Sequence, residues 1–149
     1  MHPQSIDHDA PIIGRHRALT AAPLSVVWRL HTEISVYPTW QPQMLRAYLD
    51  GPLVPGARFG WTTESFEVDS VLFDLEPERR TLWGGTTAGI RGIHGFTFTT
   101  VDQGVLIETE ESWDGEPVRA DPQQMQGYLD ADLAGWLQRF VATAEAQAG

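Results

Sequence analysis

Six segments rich in β-branched and aromatic residues follow one another at about 43–50, 57–65, 66–76, 80–88, 91–101 and 104–114, and this succession constrains the fold more than any other feature. The turn signals Gly51-Pro52, Pro55-Gly56, Glu76-Pro77, Gly84-Gly85 and Asp102-Gln103-Gly104 punctuate them. Connections this short leave no room for crossover helices, so the strands are expected to be antiparallel neighbours joined by hairpins. After them the chain offers one long helical pattern. Asp121-Pro122 supplies a cap and a first helical residue, and Met125, Leu129, Leu133, Trp136, Leu137, Phe140 and Ala144 recur at three- and four-residue steps. Gly127 and Gly135 each cost that helix up to about 1 kcal/mol relative to alanine, so packing must supply its stability.

The first part of the chain completes the pattern. Ile12–Thr20 reads as a strand, and Pro23 suits the first turn of a helix whose apolar side is Val26, Val27, Leu30 and Ile34. The segment SVYPTWQP, broken by two prolines, has room for a helical turn or two. The expected order is one strand, two short helices, six strands and one long helix. A sheet this wide with a single long helix to cover it should curl around that helix and leave an apolar cavity between them. Residues 1–10 are expected to be a flexible tail and 11–149 a single domain.

Charge and composition remove several classes of function. The net charge of −10 repels phosphate backbones and anionic membranes, so nucleic acid is not an expected partner. All 10 basic residues are arginine, and without lysine there is no Schiff-base chemistry. With no cysteine, disulfides and thiol catalysis are excluded as well. No basic-then-apolar leader and no membrane-spanning apolar run is visible, and the expectation is a cytoplasmic protein without membrane insertion.

Several runs resemble one known group. AAPLSVVWRLHTEISVYPTWQP, then GPLVPGARFGW, LEPERRTLWGG, GIHGFTF and TEESWDG are similar to the SRPBCC (START/Bet v-like) superfamily, in particular its polyketide cyclase/dehydrase-like branch, over roughly residues 12 to 146. The most specific piece is Ala-Pro-x-x-x-Val-Trp leading into the first helix, followed by Tyr-Pro-x-Trp. The resemblance implies an α+β helix-grip fold, a seven-stranded antiparallel sheet around a C-terminal helix with a hydrophobic pocket. Function must then be argued from the site, because folds of this kind host unrelated activities.

Strand alternation nominates the site. In 91–101 the inward set is His94, Phe96 and Phe98; in 104–114 it is Val105, Ile107, Thr109, Glu111 and Trp113, leaving Glu108, Glu110 and Ser112 towards water. A two-residue loop at Gln103-Gly104 would set Phe96 opposite Glu111 and make His94 a diagonal neighbour of Glu111; a three-residue loop with a glycine bulge would bring Glu110 and Ser112 beside His94 instead. A His94–Glu111 pair in a dry pocket is a candidate proton shuttle, with His94 as base or acid and Glu111 as its orienter. The plainer alternative has His94 satisfied by one acceptor and Glu111 meeting Arg91 or solvent. Tyr37, Trp40, Trp61, Trp83, Phe96, Phe98, Trp113 and Tyr128 are the candidate substrate-binding residues, each with the alternative of simple core packing or, for Tyr128, an exposed position. His16 can face inward on the first strand. The histidines have no metal-ligand spacing, and there is no phosphate loop, dinucleotide fingerprint or nucleophile elbow, so no cofactor and no metal is expected.

Three functions are compatible with these residues. The first is a cofactor-independent cyclase or dehydratase acting on a hydrophobic, polyketide-like or other small carbonyl substrate. The second is a carrier or sensor of a hydrophobic small molecule, and the third a protein-binding module of the chaperone-activator kind. The oligomeric state, monomer or homodimer, stays open.

Overall fold

A computed structural model describes residues 2–149. The elements in chain order are β1 (Ile12–Thr20), α1 (Leu24–Thr32), a 3-10 turn (Ile34–Thr39), β2 (Arg46–Asp50), β3 (Arg58–Thr62), β4 (Glu67–Glu76), β5 (Arg80–Thr87), β6 (Ile90–Val101), β7 (Gly104–Asp114), α2 (Glu116–Ala120) and α3 (Pro122–Ala148). All strand pairings are antiparallel, in the order β1-β7-β6-β5-β4-β3-β2, and α3 lies against one face of the sheet. This is the α+β helix-grip arrangement.

Local chemistry sets the helix boundaries. Pro23 stands just before α1 with φ −70° and its carbonyl accepts from Val26 and Val27, one position earlier than the first-turn placement expected. The Asp121 side chain accepts from the Gln124 backbone N–H at 3.1 Å, satisfying one of the unpaired donors at the start of α3. The short α2, with Val118 buried, is not visible in the periodicity, because five residues carry no repeat.

The apolar stripe of α3 serves two clusters. Trp136, Leu137, Phe140 and Ala144 join residues of α1, the 3-10 turn and the central strands, including Phe59, Trp83, Phe96 and Phe98. Leu129 and Leu133 pack with Ile12 and Val118. The second contact depends on Gly14: a methyl group there would lie 2.9 Å from Leu133 Cδ1 and 3.0 Å from Leu129 Cγ, so the missing side chain lets α3 settle on β1.

On the other face of the sheet, Ile6 is buried against Leu82 and Ile93, and the Asp7 N–H donates to Ser112 Oγ at 2.9 Å. Ser112, expected to face water, is instead only 1% exposed, because the residues before β1 fold back over it. Polarity alone marks residues this early as a tail; Ile6 is the one that finds an apolar seat.

The β6–β7 hairpin differs from both registers considered above. Its loop residues are Asp102 and Gln103, and Val101 pairs with Gly104. Gly104 has φ +141°, and a Cβ there would stand 2.0 Å from the Thr20 carbonyl oxygen, so this close passage of β1 admits only glycine at the first position of the strand. The pairing is displaced by an even number of residues, so the inward set keeps its face while His94 and Glu111 move from diagonal to directly opposed positions.

Candidate functional site

Between the sheet and α3 lies a cavity of about 780 Å3, within the range of small-molecule sites. Its walls include Trp61 of β3, Trp83 of β5, Trp113 of β7 and Trp136 of α3, and Tyr128 stands at its mouth, 54% exposed. His94 and Glu111 both line it. The other nominated aromatics lie in the core rather than along this lining. Tyr37 is fully buried, donates its hydroxyl to the His31 carbonyl, and packs edge-on against Trp40 and Trp136. Trp40, Phe96 and Phe98 are likewise buried in the main cluster.

The polar centre is a short relay. His94 Nε2 lies 2.6 Å from Thr109 Oγ1, and the Thr109 hydroxyl donates to the Gly95 carbonyl at 3.0 Å. With its only proton committed there, the threonine oxygen accepts from His94 Nε2–H. The lone pair of His94 is therefore on Nδ1, which faces Glu111 Oε1 at 3.4 Å. Glu111 Oε2 in turn accepts from Trp113 Nε1–H at 2.9 Å. Gly92 makes room for this carboxyl group, since a methyl there would sit 3.1 Å from Oε2. Trp83 meets the His94 ring edge-to-face, with centroids 5.9 Å apart.

Electrostatics follows from the dry surroundings. Burial lowers the His94 pKa to about 3, so the imidazole is neutral. Burial raises the Glu111 pKa to about 7, a shift moderated by the Trp113 hydrogen bond and reinforced by the charge of Asp132. A carboxyl group that is half protonated near neutral pH thus faces an unprotonated ring nitrogen. Arg91, the alternative partner of Glu111, instead lies 3.8 Å from Asp7 on the surface.

Sequence reasoning missed two members of this centre. Alternation places Thr109 on the inward face but gives it no role, although a threonine two residues from an inward glutamate is a usable signal. Asp132, on α3, lines the cavity and is exposed at its mouth. His16 also faces α3, where its Nε2 lies 3.2 Å from Asp130 Oδ1, outside the cavity lining. A second groove of about 470 Å3 runs beside Arg15, Arg17, Arg80, Glu108 and Glu110. Two of its arginines are already paired, Arg15 with Glu110 at 3.1 Å and Arg80 with Asp74, and it holds no comparable centre. Among the described residues, no group of three or more metal-ligating side chains converges, and no helix is long and apolar enough to cross a membrane.

The geometry defines a class: a helix-grip protein with an aromatic-walled internal cavity and one carboxyl–imidazole pair at its wall. Solved structures share this fold at low sequence identity. A hypothetical protein from Helicobacter pylori, jhp0584, superposes with a TM-score of 0.80 at 16% identity, covering 97% of this chain and 98% of that one. Ara h 8.0201 does so with a TM-score of 0.75 at 10% identity, covering 91% and 98%. The di-domain ARO/CYC StfQ of the steffimycin biosynthetic pathway matches with a TM-score of 0.73 at 16% identity, and this chain, 92% covered, spans 50% of its length. No family model matches the sequence. No curated protein matches it either.

Proposed function

We propose that this protein is a cofactor-independent acid–base enzyme of the cyclase/dehydratase type, working on a hydrophobic carbonyl compound held in the internal cavity, in the cytoplasm. The observation that carries this reading is the opposition of His94 Nδ1 and Glu111 Oε1, 3.4 Å apart on the lining of that cavity. The roles differ from those assigned on sequence. An imidazole titrating near 3 is too weak a base for neutral pH, whereas a carboxyl group titrating near 7 is matched to it. Glu111 is therefore the proton-transferring group. His94, its Nε2–H held by Thr109, offers Nδ1 to the proton that Glu111 gains, and the indole walls hold the substrate against the pair. Removal of a proton α to a carbonyl, the step that begins an aldol cyclisation or dehydration, passes that proton to the Glu111 carboxylate and leaves the electron pair on the substrate as an enolate. StfQ, whose name marks it as an aromatase/cyclase, shares the fold and supports the choice of reaction class.

The test is deuterium uptake α to the carbonyl of bicyclic aryl ketones in D2O, followed by NMR. Glu111→Gln should slow enzyme-dependent exchange by about 100-fold or more, the range of general acid–base catalysis. If Glu111→Gln and His94→Ala exchanged as fast as the parent protein, the catalytic reading would fail. A second reading, a carrier or sensor, is favoured by the four tryptophans that line the cavity; it predicts binding of such ketones with no exchange in any variant. A cavity of about 780 Å3 counts against a pure protein-binding module.

A further inference from the structure

The charges around the cavity are one-sided. Glu64, beyond β3, lines its outer part together with Asp132 of α3, and both are exposed; Glu111 lies deeper on β7, its side chain 18% exposed. Among the described lining residues none is an arginine, and the chain has no lysine. Arg139 is near enough to act on Asp132, but its guanidinium is outside the lining and donates to Gln41 Oε1 at 2.6 Å. A second feature is independent of these charges: the indoles of Trp61, Trp83, Trp113 and Trp136 all form part of the wall.

We infer that the ligand of this cavity is an apolar, ring-bearing compound carrying a positively charged nitrogen, and that its anionic counterparts are excluded. The inference rests on the cavity being the ligand site, as proposed above, and adds the charge class of what enters. Moving an ammonium out of water is costly unless opposite charge and polarisable surface replace its hydration. Here the carboxylates supply the charge and the indole faces supply cation–π attraction. An acid of the same shape would meet three carboxyl groups and no cation. The chain's net charge of −10 adds to the field that draws cations to the mouth.

Three probes with one ring system separate charge from shape: (2-naphthylmethyl)trimethylammonium, 2-naphthalenemethanol and 2-naphthylacetate, titrated by calorimetry at pH 8. The ammonium should bind about tenfold or more tighter than the alcohol, as expected for a partly desolvated cation–π and ion-pair site, and the acetate should bind weakest. Asp132→Asn combined with Glu111→Gln should reduce ammonium affinity to that of the alcohol while alcohol affinity is retained, which also reports that the fold is intact. The groups facing Glu111 are His94 of β6, Trp113 of β7 and Asp132 of α3, so ionisation of Glu111 should raise ammonium affinity by roughly tenfold from pH 6 to pH 8 and leave the alcohol unchanged. Equal affinity for alcohol and ammonium, or tighter binding of the acetate, overturns the charge inference and leaves the cavity reading standing. Failure of all three probes to bind overturns both.

Discussion

Thr109 decides which nitrogen of His94 carries the proton. Its hydroxyl is spent on the Gly95 carbonyl, 3.0 Å away, and its oxygen takes the Nε2–H at 2.6 Å, which leaves Nδ1 as the free base facing Glu111. A neutral histidine without this contact would distribute its proton between both nitrogens.

Replacing Thr109 by valine keeps the shape and removes the acceptor. The buried Nε2–H is then unpaired, which should cost about 1–3 kcal/mol in urea unfolding. The 15N shifts of His94 should move from the Nε2–H pattern towards a tautomer mixture, and Thr109→Ser should restore both. An unchanged tautomer in Thr109→Val would refute the assignment.

Acid should destabilise the protein from about pH 6.5 downwards. His94 and His31 are both lowered to about 3, in each case chiefly by burial. Between those values and 6.5 the unfolded chain binds more protons than the folded one, so the stability of the neutral buried rings is complete above 6.5 and is lost as pH falls towards 3. Glu111 works in the opposite sense: raised to about 7, it costs stability above pH 7, and that cost disappears as pH falls to about 4.5. Two histidines with larger shifts outweigh one carboxyl group, so the midpoint temperature should decline across this range. His31→Gln, which can keep the bond to Thr81 Oγ1 now made at 2.8 Å, should flatten the decline.

Gly92→Ala places a methyl in tight contact with Glu111 Oε2, at 3.1 Å, and in ordinary contact with the Trp113 ring, at 3.5 Å. The carboxyl group should be pushed from its bond with Trp113 Nε1, a bond that holds its pKa down. A 13C titration of the Glu111 carboxyl should therefore report a higher pKa in the variant, and a value unchanged from the parent would count against the contact.

Two glycines facing different surroundings should respond in opposite directions. Gly14→Val drives a branched side chain into Leu129 and Leu133 and should cost about 1–3 kcal/mol. Gly127 lies on the exposed side of α3, where a methyl group would meet nothing within 4 Å, so Gly127→Ala should gain about 0.5–1 kcal/mol. Urea midpoints measure both.

What is legible in the sequence follows from signals that act within a few residues. The period of two places His94, Phe96, Thr109 and Glu111 on one face of the sheet. The turn signals at Gly51-Pro52, Pro55-Gly56, Glu76-Pro77 and Asp102-Gln103-Gly104 mark three of its hairpins, whereas Gly84-Gly85 lies inside β5 and the β5–β6 turn falls at Ala88-Gly89. The cap at Asp121 and the stripe from Leu129 to Ala144 mark the helix that covers it.

Alternation, however, states the face of a residue and not its position along the strand. His94 lines the cavity while Phe96 and Phe98, on the same face, pack against His31 of α1, because α1 crosses one end of that face and leaves the other open beneath α3. The register that sets His94 against Glu111 places Gly104 in the strand, where the Thr20 carbonyl of β1 comes so near that a Cβ would stand 2.0 Å from it. The charge sign of the cavity likewise needed Asp132 of α3 to meet Glu111 of β7 across it. The sequence by itself determined the faces and the elements, since those depend on local periodicity and turn chemistry; tertiary structure alone decided the partners, since each is set by contact between segments that the chain keeps apart.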